Sequence, residues 1–399
     1  MSTAAGDPGL ARRMAGIAPF HAMEIMARAR RLETEGRSII HMEIGEPDFA
    51  TPQPVTDAAI RALQSAQMHY TPATGLPALR EAIARFYLER YGVELAPSRV
   101  IVTPGSSGAL LLALGVLLDP GRQVLMADPG YPCNRHFVRF VEGRALGVPV
   151  DAGTGYQLTP GLVARHWTPD TAALLLASPS NPTGTLVPAA ALAEMAQMVQ
   201  DRGGRLIVDE IYHGLVYEGQ AGTALAVSDQ VFVVNSFSKY FNMTGWRLGW
   251  LVAPSAYVPA LEKLAQNLFL APSTPAQYAA LAAFTPDTLA LLEARKEEFR
   301  RRRDFLLPAL RQMGFDIPLT PQGAFYLYAG CRRFTRDSYA FCRDLLEQAG
   351  VAITPGADFG SHEPARHVRF AYTTSLDQLE EGVRRLQAFL DGRAGQPQP

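Results

Sequence analysis

Seven short apolar runs alternate with helix-like patterns over the first two-thirds of this chain, and this alternation limits the possible folds more than any other feature. Several runs, such as AALLLAS at 172–178 and VFVVNS at 231–236, are apolar at nearly every position. Such runs predict strands covered on both faces, as in a largely parallel sheet between helices. The predicted strands are Arg99–Thr103, Gln123–Ala127, Arg144–Val148, Ala172–Ser178, Arg205–Asp209, Val231–Asn235 and Arg247–Ala253.

The pattern changes after about residue 290, which predicts a second and smaller unit. A long charged helix pattern, Leu291–Leu310, is followed by short strand-like runs such as His367–Tyr372. Regular alternation followed by mixed short elements is typical of an α/β domain joined to an α+β domain. We therefore expect a large α/β domain at 46–288, with a mostly parallel seven-stranded sheet between helices, and a smaller α+β domain formed by the two chain ends, 1–45 and 289–399.

Composition excludes several functional classes. Lys and Arg number 37 against 38 Asp and Glu, so the basic excess typical of nucleic-acid binding is missing. Three cysteines in 399 residues neither form a disulfide framework nor show zinc-ligand spacing. The most apolar stretch, Ala109–Leu118, is half of the roughly 20 residues that cross a membrane, and the start of the chain shows no apolar signal segment. We expect a cytoplasmic protein with no nucleic-acid partner, no membrane partner and no metal.

The chemistry is densest in NSFSKYFNMTGWRLGW at 235–250. Hydroxyl groups and a guanidinium suit phosphate oxygens, so Ser236, Ser238 and Arg247 are candidates to converge on a phosphate. A lysine whose pKa is lowered by a neighbouring cation can form a Schiff base with an aldehyde, and Lys239 lies between these residues. A phosphate site beside such a lysine indicates pyridoxal phosphate. The alternative is a polar loop with one solvated lysine.

Further segments add polar groups at the ends of predicted strands. Ser106 and Ser107 begin a helix after a glycine turn and can offer N–H groups and hydroxyls to an anion, although an ordinary capped helix has the same appearance. Asn181 precedes a proline after the strand Ala172–Ser178 and therefore lies in a loop. Asp209 ends its strand and Tyr212 follows it, where parallel sheets place ligand groups.

Taken together, the motifs resemble a known family. GEPDF, YTPATG, NPTG, DEIY and SFSKYFNMTGWRLG follow one another in the order found in the class I/II aminotransferases, which are fold-type I pyridoxal-phosphate enzymes. The resemblance runs from about Ile39 to Tyr372. It implies a transaminase with pyridoxal 5′-phosphate as cofactor, which exchanges an amino group between an L-amino acid and a 2-oxo acid, either 2-oxoglutarate or pyruvate, in a ping-pong reaction.

The resemblance also implies roles for individual residues at the cofactor. Lys239 carries the Schiff base and moves the substrate proton, and Asp209 pairs with the pyridine nitrogen and keeps it protonated. Tyr212 and Asn181 hydrogen-bond the phenolic oxygen, and Tyr131 in DPGYPCN stacks on the ring. The cofactor phosphate is held by Ser106, Ser107, Ser236, Ser238 and Arg247.

Other implied roles concern the substrate and a second subunit. Arg369 in RFAYTTS clamps the substrate α-carboxylate as a two-pronged donor, helped by Asn181 and by the backbone at Gly45 in MEIGEPDF. Tyr70 in HYTPATG reaches the phosphate of the neighbouring subunit. The expected partners are therefore small amino and oxo acids and a second copy of the chain, with Tyr70 shared across a homodimer.

Two departures from the family pattern bear on substrate choice. Many relatives carry a tyrosine where this chain has Asn134, and some dicarboxylate-using relatives carry a lysine where it has Ser107. Nothing in the sequence therefore marks a clamp for a second carboxylate. Phe20 and residues 268–270 lie near regions that line the side-chain pocket in the family and suggest an apolar substrate, although core packing explains them equally well.

Three alternatives need separate consideration. A carbon–sulfur β-lyase uses the same lysine and electron sink, but the MTGWRLG context and Arg369 favour transamination. A transcription regulator with an aminotransferase-like module is disfavoured, because only about 40 residues precede GEPDF and the chain is not basic. The four-arginine run Arg300–Arg303 is interpreted as a solvated helix face paired with nearby glutamates, rather than as a nucleic-acid patch.

Overall fold

The structure is a computed structural model that describes residues 9–65, 68–218 and 221–393. Its helices are α1 (His21–Thr34), α2 (Gln53–Gln64), α3 (Pro77–Tyr91), α4 (Gly105–Leu117), α5 (Pro132–Phe140), α6 (Pro160–His166), α7 (Ala189–Asp201), α8 (Val258–Leu268), α9 (Thr274–Leu281), α10 (Pro286–Met313), α11 (Ser338–Ala349) and α12 (Leu376–Arg393). Its strands are β1 (Ile40–His41), β2 (Val100–Thr103), β3 (Gln123–Asp128), β4 (Arg144–Pro149), β5 (Thr171–Ala177), β6 (Arg205–Asp209), β7 (Phe232–Ser236), β8 (Gly249–Val252), β9 (Tyr326–Gly330), β10 (Val351–Ala352), β11 (Thr354–Pro355) and β12 (His367–Ala371).

The central sheet has seven strands in the order β2-β8-β7-β6-β5-β3-β4. The strands from β7 through β6, β5 and β3 to β4 pair in parallel, whereas β8 runs antiparallel to both of its neighbours. The prediction of a mostly parallel seven-stranded sheet is therefore confirmed, and each predicted strand matches an observed one to within two residues.

The two faces of this sheet explain why its strands are apolar at successive positions. On β5, Leu174 and Leu176 pack into one buried apolar cluster, and the alternate residues Ala173 and Leu175 pack into a second cluster. Helices cover both faces, so neither set of side chains can be polar without the cost of a buried unpaired group.

The register of the parallel strands brings their carboxyl ends to one edge. Ala177 at the end of β5 pairs with Asp209 at the end of β6, and Asp209 pairs with Val234 of β7. The segments that follow these strands therefore start side by side. They are the segments that carry Asn181, Tyr212 and Lys239.

Two small sheets lie outside the central one. Strand β1 pairs in parallel with β10, which joins the two ends of the chain. Strands β11, β12 and β9 form an antiparallel sheet in which Arg369 is opposite Tyr328 on one side and Thr354 on the other. These sheets draw on residues 40–41 and 326–371, while the exact domain limits at 46–288, 1–45 and 289–399 stay a prediction.

The interpretation of Arg300–Arg303 as a solvated face was wrong for half of the run. The Arg302 and Arg303 side chains are only 4% exposed, because they lie on the buried side of α10, where Arg302 forms an ion pair with Asp48 and Arg303 forms one with Glu218. Burial of these charges is tolerated since each is paired and hydrogen-bonded. The two arginines fasten α10 to the segments before α2 and after β6.

Within the three described ranges, no helix is long and apolar enough to cross a membrane. Over the same residues, no group of three or more histidine, cysteine, aspartate or glutamate side chains is arranged to hold a metal ion. The cytoplasmic location stays a prediction.

Candidate active site

A pocket of about 180 Å³ lies at the carboxyl edge of the central sheet, where the start of α1 and the small antiparallel sheet meet it. It brings together residues from segments far apart in sequence. Eight of the residues predicted for the site line it: Gly45, Ser106, Tyr131, Asn181, Asp209, Tyr212, Lys239 and Arg369.

Lys239 follows β7, and its side chain is directed across the pocket. Its Nζ donates a hydrogen bond of 2.6 Å to the carbonyl oxygen of Gly45. Burial, together with the nearby cations of Arg369 and Arg247, lowers the pKa of Lys239 to about 8, against the opposing influence of Glu46 and Asp209. A neutral amine, which can act as a nucleophile or a base, is therefore accessible near physiological pH.

Asp209 supplies a buried carboxylate at the end of β6. It is 5% exposed, and its Oδ1 accepts a hydrogen bond of 3.1 Å from the Ile211 N–H. Burial raises the pKa of Asp209 to about 6, although the Ile211 N–H and the Lys239 charge act in the other direction. A buried carboxylate of this kind gains strongly from a cationic partner such as a protonated ring nitrogen.

Serine hydroxyls and an arginine form an anion cradle beside Lys239. The Oγ atoms of Ser236 and Ser238 are 2.9 Å apart, and the Ser236 Oγ also accepts a 3.0 Å bond from the Ser238 N–H. Both serines are buried. Arg247, which is itself solvent-exposed, donates from Nη1 to the Ser238 Oγ at 3.4 Å.

Two glycines allow α4 to approach this cradle. A Cβ atom at Gly249 would lie 2.8 Å from the backbone nitrogen of Ser106, and one at Gly105 would lie 2.6 Å from Nη2 of Arg247. Any larger residue would fill the space between the strand and the first turn of α4. The N-terminus of α4 therefore faces the serine–arginine group, in an arrangement that suits a phosphate. Ser107 is half-buried in the same turn.

Arg369 forms the opposite wall from the small antiparallel sheet. Its Nη1 donates to Oδ1 of Asn181 at 2.8 Å, and its Nη2 donates to the Glu43 carbonyl oxygen at 2.6 Å. The guanidinium lies 4.2 Å from the centre of the Tyr326 ring and 4.9 Å from that of Phe359. Among the described residues its buried Nε has no hydrogen-bond partner, which leaves donor capacity for a carboxylate.

Some predicted residues lie away from the pocket of their own chain. Tyr70 is 82% exposed, and Leu268 and Leu270 are about half exposed, so the suggestion that residues 268–270 line the pocket is not supported within one chain. Phe20 does line it. Asn134 is buried in a neighbouring cavity next to Tyr131, and its Oδ1 has no hydrogen-bond partner within the described ranges.

Sequence reasoning missed Tyr326, which is central to the site. It lines the pocket, its hydroxyl oxygen is 2.7 Å from that of Tyr212, and its ring supports Arg369. In the sequence it is one aromatic residue in the apolar run FYLYAG. The only available signal was that this run predicts a strand in the same small domain as Arg369.

Fold and site together define an enzyme that uses pyridoxal phosphate. A buried carboxylate, a lysine of lowered pKa and Ser106 line one pocket, and the anion cradle lies next to that lysine, so the residues fit this cofactor. An arginine with spare donors completes the pocket on the other side. This combination suits a substrate that carries an amino group and a carboxylate.

The comparisons with known proteins agree. The sequence profile of the family described as aminotransferase class I and II matches residues 37–386. The chain belongs to this family, whose members use pyridoxal 5′-phosphate, and it is a pyridoxal-phosphate-dependent aminotransferase.

Individual relatives match over nearly their full length. Valine–pyruvate aminotransferase of Mycobacterium tuberculosis is 40% identical over 94% of this chain and 97% of that protein. The (5-formylfuran-3-yl)methyl phosphate transaminase of Methanocaldococcus jannaschii is 36% identical over 96% of this chain and all of its own length.

Solved structures match as well. The crystal structure of an aminotransferase from Mycobacterium tuberculosis superposes with a TM-score of 0.94 at 39% identity, covering 97% of this chain and 100% of that one. The Thermus thermophilus aspartate aminotransferase with maleate has a TM-score of 0.90 at 35% identity and covers 96% and 100%. No observation favours the β-lyase alternative.

Proposed function

We propose that this aminotransferase takes its amino group from an L-amino acid with an apolar side chain and passes it to pyruvate. The observation that carries the proposal is the wall of the pocket near the start of α1. Phe20, Met23, Ile44 and Ile211 line it, and the cations among the described lining residues are Lys239 and Arg369. A second carboxylate would be left without a partner there, which is costly in a buried site.

The comparisons support this choice without deciding it. One relative at 40% identity carries the name valine–pyruvate aminotransferase, while two others at 35% and 36% identity are named aspartate aminotransferase and aspartate/prephenate aminotransferase. The apolar lining of the pocket agrees with a valine donor. Position 107 is serine, whereas some dicarboxylate-using relatives carry a lysine there, so this position gives no reason to prefer an aspartate donor.

We assign the cofactor-holding roles from the geometry of the large domain. Pyridoxal 5′-phosphate, when bound, supplies an electron sink that stabilises negative charge at the substrate Cα. The cradle of Ser106, Ser236, Ser238 and Arg247 would hold its phosphate, with Ser107 in the same helical turn. Asp209 would keep a proton at the ring nitrogen, Tyr212 and Asn181 would bind the phenolic oxygen, and Tyr131 would stack on the ring.

Substrate handling falls to residues on both walls. Arg369 would bind the α-carboxylate with two parallel hydrogen bonds, helped by Asn181 and the backbone at Gly45. This fixes the substrate Cα between the two walls. Lys239 Nζ, whose neutral form is accessible, would then move the proton between the substrate Cα and the C4′ carbon of the cofactor.

A substrate panel tests the proposed specificity. We expect valine with pyruvate to give a kcat/KM at least about tenfold above that of aspartate with 2-oxoglutarate. The reason is that an unpaired side-chain carboxylate in an apolar pocket costs more binding free energy than a difference of one methylene group. Met23→Ala, in the pocket, should lower kcat/KM for valine about threefold more than for alanine. Met14→Ala is the matched control, since Met14 is equally exposed but lies outside the pocket. Aspartate as the better donor would contradict the proposal.

We further propose a homodimer in which Tyr70 completes the site of the partner subunit. Tyr70 is 82% exposed within one chain although its family counterpart reaches a phosphate. Exposed apolar residues mark association surfaces. Such residues precede Tyr70 in the chain at Ile60, Leu63 and Met68, and others end α8 at Leu268 and follow it at Leu270.

Subunit mixing tests the shared site. Tyr70→Ala and Lys239→Ala homodimers should each be inactive or nearly so. An equal mixture with free exchange forms half heterodimers, and each heterodimer has one intact site out of two, so about a quarter of the wild-type activity should return. No recovery after proven exchange would show that each site is built from a single chain.

A further inference from the structure

The hydroxyl group of Tyr326 is held in one place by its surroundings. Tyr326 is 2% exposed and extends from β9 in the small sheet to Tyr212 on the large-domain side, where the two hydroxyl oxygens are 2.7 Å apart. A Cβ atom at Gly45 would lie only 1.7 Å from the Tyr326 oxygen. Residue 45 therefore has to be glycine in this structure because the tyrosine hydroxyl occupies the space of a side chain.

The ring of the same tyrosine supports the carboxylate-binding arginine. The Arg369 guanidinium carbon is 4.2 Å from the ring centre of Tyr326, which is close enough for a strong cation–π contact. One side chain thus touches Arg369 with its ring and Tyr212 with its hydroxyl. No other described residue has both contacts.

Counting protons decides what the hydroxyl contact can do. Each phenol has one proton, and the two oxygens share one hydrogen bond, so one tyrosine donates and the other accepts. If Tyr212 donated to Tyr326, it would have no proton left for a group in the pocket. If Tyr326 donates, the Tyr212 proton remains free to point into the pocket.

The electrostatic surroundings favour Tyr326 as the donor. Burial raises the pKa of both phenols, and for Tyr326 the Arg369 charge acts against this rise more directly than for Tyr212. A phenol beside a cation is the stronger donor of the two. The titratable groups that face the pair are Arg369 on β12, Tyr131 at the start of α5, Asp209 on β6, Lys239 after β7 and Glu43 after β1.

We propose that Tyr326 is a positioning residue that donates its hydroxyl proton to the Tyr212 oxygen and thereby keeps the Tyr212 proton directed at the phenolic oxygen of the cofactor. The inference rests on the role of Tyr212 proposed above. Hydrogen bonds in such a chain reinforce one another, so Tyr326 makes Tyr212 a stronger donor. Its contact with Arg369 places this chain directly beside the substrate carboxylate site.

The consequence is measurable in the cofactor's visible absorption. A weaker hydrogen bond from Tyr212 leaves more negative charge on the phenolic oxygen, which then holds a neighbouring proton to higher pH. In the cofactor-loaded resting enzyme, Tyr326→Phe should shift the pH midpoint of the visible absorption change upward by about 0.5 to 1 unit, the equivalent of one ordinary hydrogen bond. Tyr372→Phe is the matched control, because the hydroxyl of this buried tyrosine of the same domain bonds the Ala324 carbonyl and Tyr217. The midpoint of this variant should equal that of the wild type.

A double variant shows whether Tyr326 acts through Tyr212. Tyr212→Phe should shift the midpoint upward by more than Tyr326→Phe does, and adding Tyr326→Phe to it should cause no further shift. A Tyr326→Phe shift that persists without the Tyr212 hydroxyl, or a midpoint that does not move at all in the single variant, would overturn the proposal.

A second variant tests the proposal independently, in case Tyr326→Phe folds poorly. Gly45→Ala retains Tyr326 but forces its hydroxyl away from the position that it now occupies, so it should shift the midpoint in the same direction. An unchanged midpoint in Gly45→Ala would also count against the proposal. The proposed function fails separately if the wild-type protein shows no pH-dependent visible absorption with pyridoxal 5′-phosphate, or if aspartate proves to be its better donor.

Discussion

The two walls of the active site are built in different ways. The large-domain wall, which we call the cofactor cluster, comprises Asp209, Ser236, Ser238, Lys239 and Arg247, which lie on β6 and β7, directly after β7 or shortly before β8. The small-domain wall, which we call the carboxylate cluster, comprises Gly45, Tyr326 and Arg369. Two hydrogen bonds of Arg369 span 188 and 326 positions of the chain.

This difference indicates which wall of the site can be altered by mutation without disturbing the other wall. The cofactor cluster is attached to adjacent strands of a sheet buried on both faces, so its geometry is rigid and local. The carboxylate cluster exists only where two parts of the fold meet, and its residues depend on one another for position. Changes in the first should impair cofactor chemistry for every substrate, whereas changes in the second should impair binding while the cofactor stays in place.

The largest effect is expected from the lysine of the cofactor cluster. Lys239→Ala should lower transamination by at least about 10³-fold, because it removes both the nucleophile and the proton carrier. The measurement is the transamination rate, together with borohydride trapping of cofactor on the protein. Lys263→Ala, on the exposed side of α8, is the control and should be fully active. Cofactor trapped on another lysine with activity retained would refute the assignment.

A smaller loss is expected from the carboxylate of the same cluster. Asp209→Asn should lower kcat by about 100-fold or more for all substrates, since a neutral amide cannot hold a proton on the ring nitrogen by charge. Circular dichroism should show an intact fold. Asp201→Asn, an exposed change at the end of α7, serves as the control. A kcat within about threefold of wild type, less than 1 kcal/mol in barrier height, would show that Asp209 does not have this role.

The carboxylate cluster should respond in KM instead. Arg369→Lys should raise KM for the amino acid and for the oxo acid alike, lowering kcat/KM by about 30-fold, or roughly 2 kcal/mol, as the two-pronged hydrogen bond is lost. Cofactor absorbance should be retained. Arg366→Lys, on the exposed segment before β12, should have no effect. If the substitution lowered kcat/KM only for acidic substrates, Arg369 would bind the substrate side chain rather than the α-carboxylate.

The smallest effect links the two clusters through one pKa. Because the pKa of Lys239 is lowered to about 8, its neutral fraction in the cofactor-free protein should rise about fivefold from pH 7 to pH 8 and less than twofold from pH 8 to pH 9. The rate of reductive methylation of Lys239, followed by mass spectrometry, should therefore increase steeply up to pH 8 and only slightly above it. A rate that continues to rise about tenfold per pH unit would indicate an unperturbed lysine.

The residues of the two clusters were not equally predictable from the sequence. Apolar runs predicted all seven central strands, and polar residues at strand ends predicted Asp209, Lys239 and the serines, since carboxyl ends of parallel strands share one edge of a sheet. Arg369 was found by resemblance to a family rather than from local pattern. Tyr326 was missed, because an aromatic residue in an apolar strand has the same sequence signature whether it packs in the core or lines a pocket.

Charge and burial show the same limit. The arginine run on α10 was interpreted as solvated from its helical spacing to glutamates, yet Arg302 and Arg303 are buried against Asp48 and Glu218. Spacing along a helix specifies neighbours on that helix, but not which face meets another segment of the chain. The cause of this error is therefore the lack of long-range contacts in any local pattern.

By itself, the sequence determined the sheet, the order of its strands along the chain and the chemistry placed at their ends, because continuous apolar runs and polar residues at strand ends are local properties. The tertiary structure alone decided that Gly45, Tyr212 and Tyr326 meet, with a hydroxyl where a side chain would stand. It also decided that the pKa of Lys239 falls, since burial and the approach of Arg369 from the other end of the chain arise only on folding. Contacts between distant segments depend on how the whole chain packs, and no stretch of residues encodes them alone.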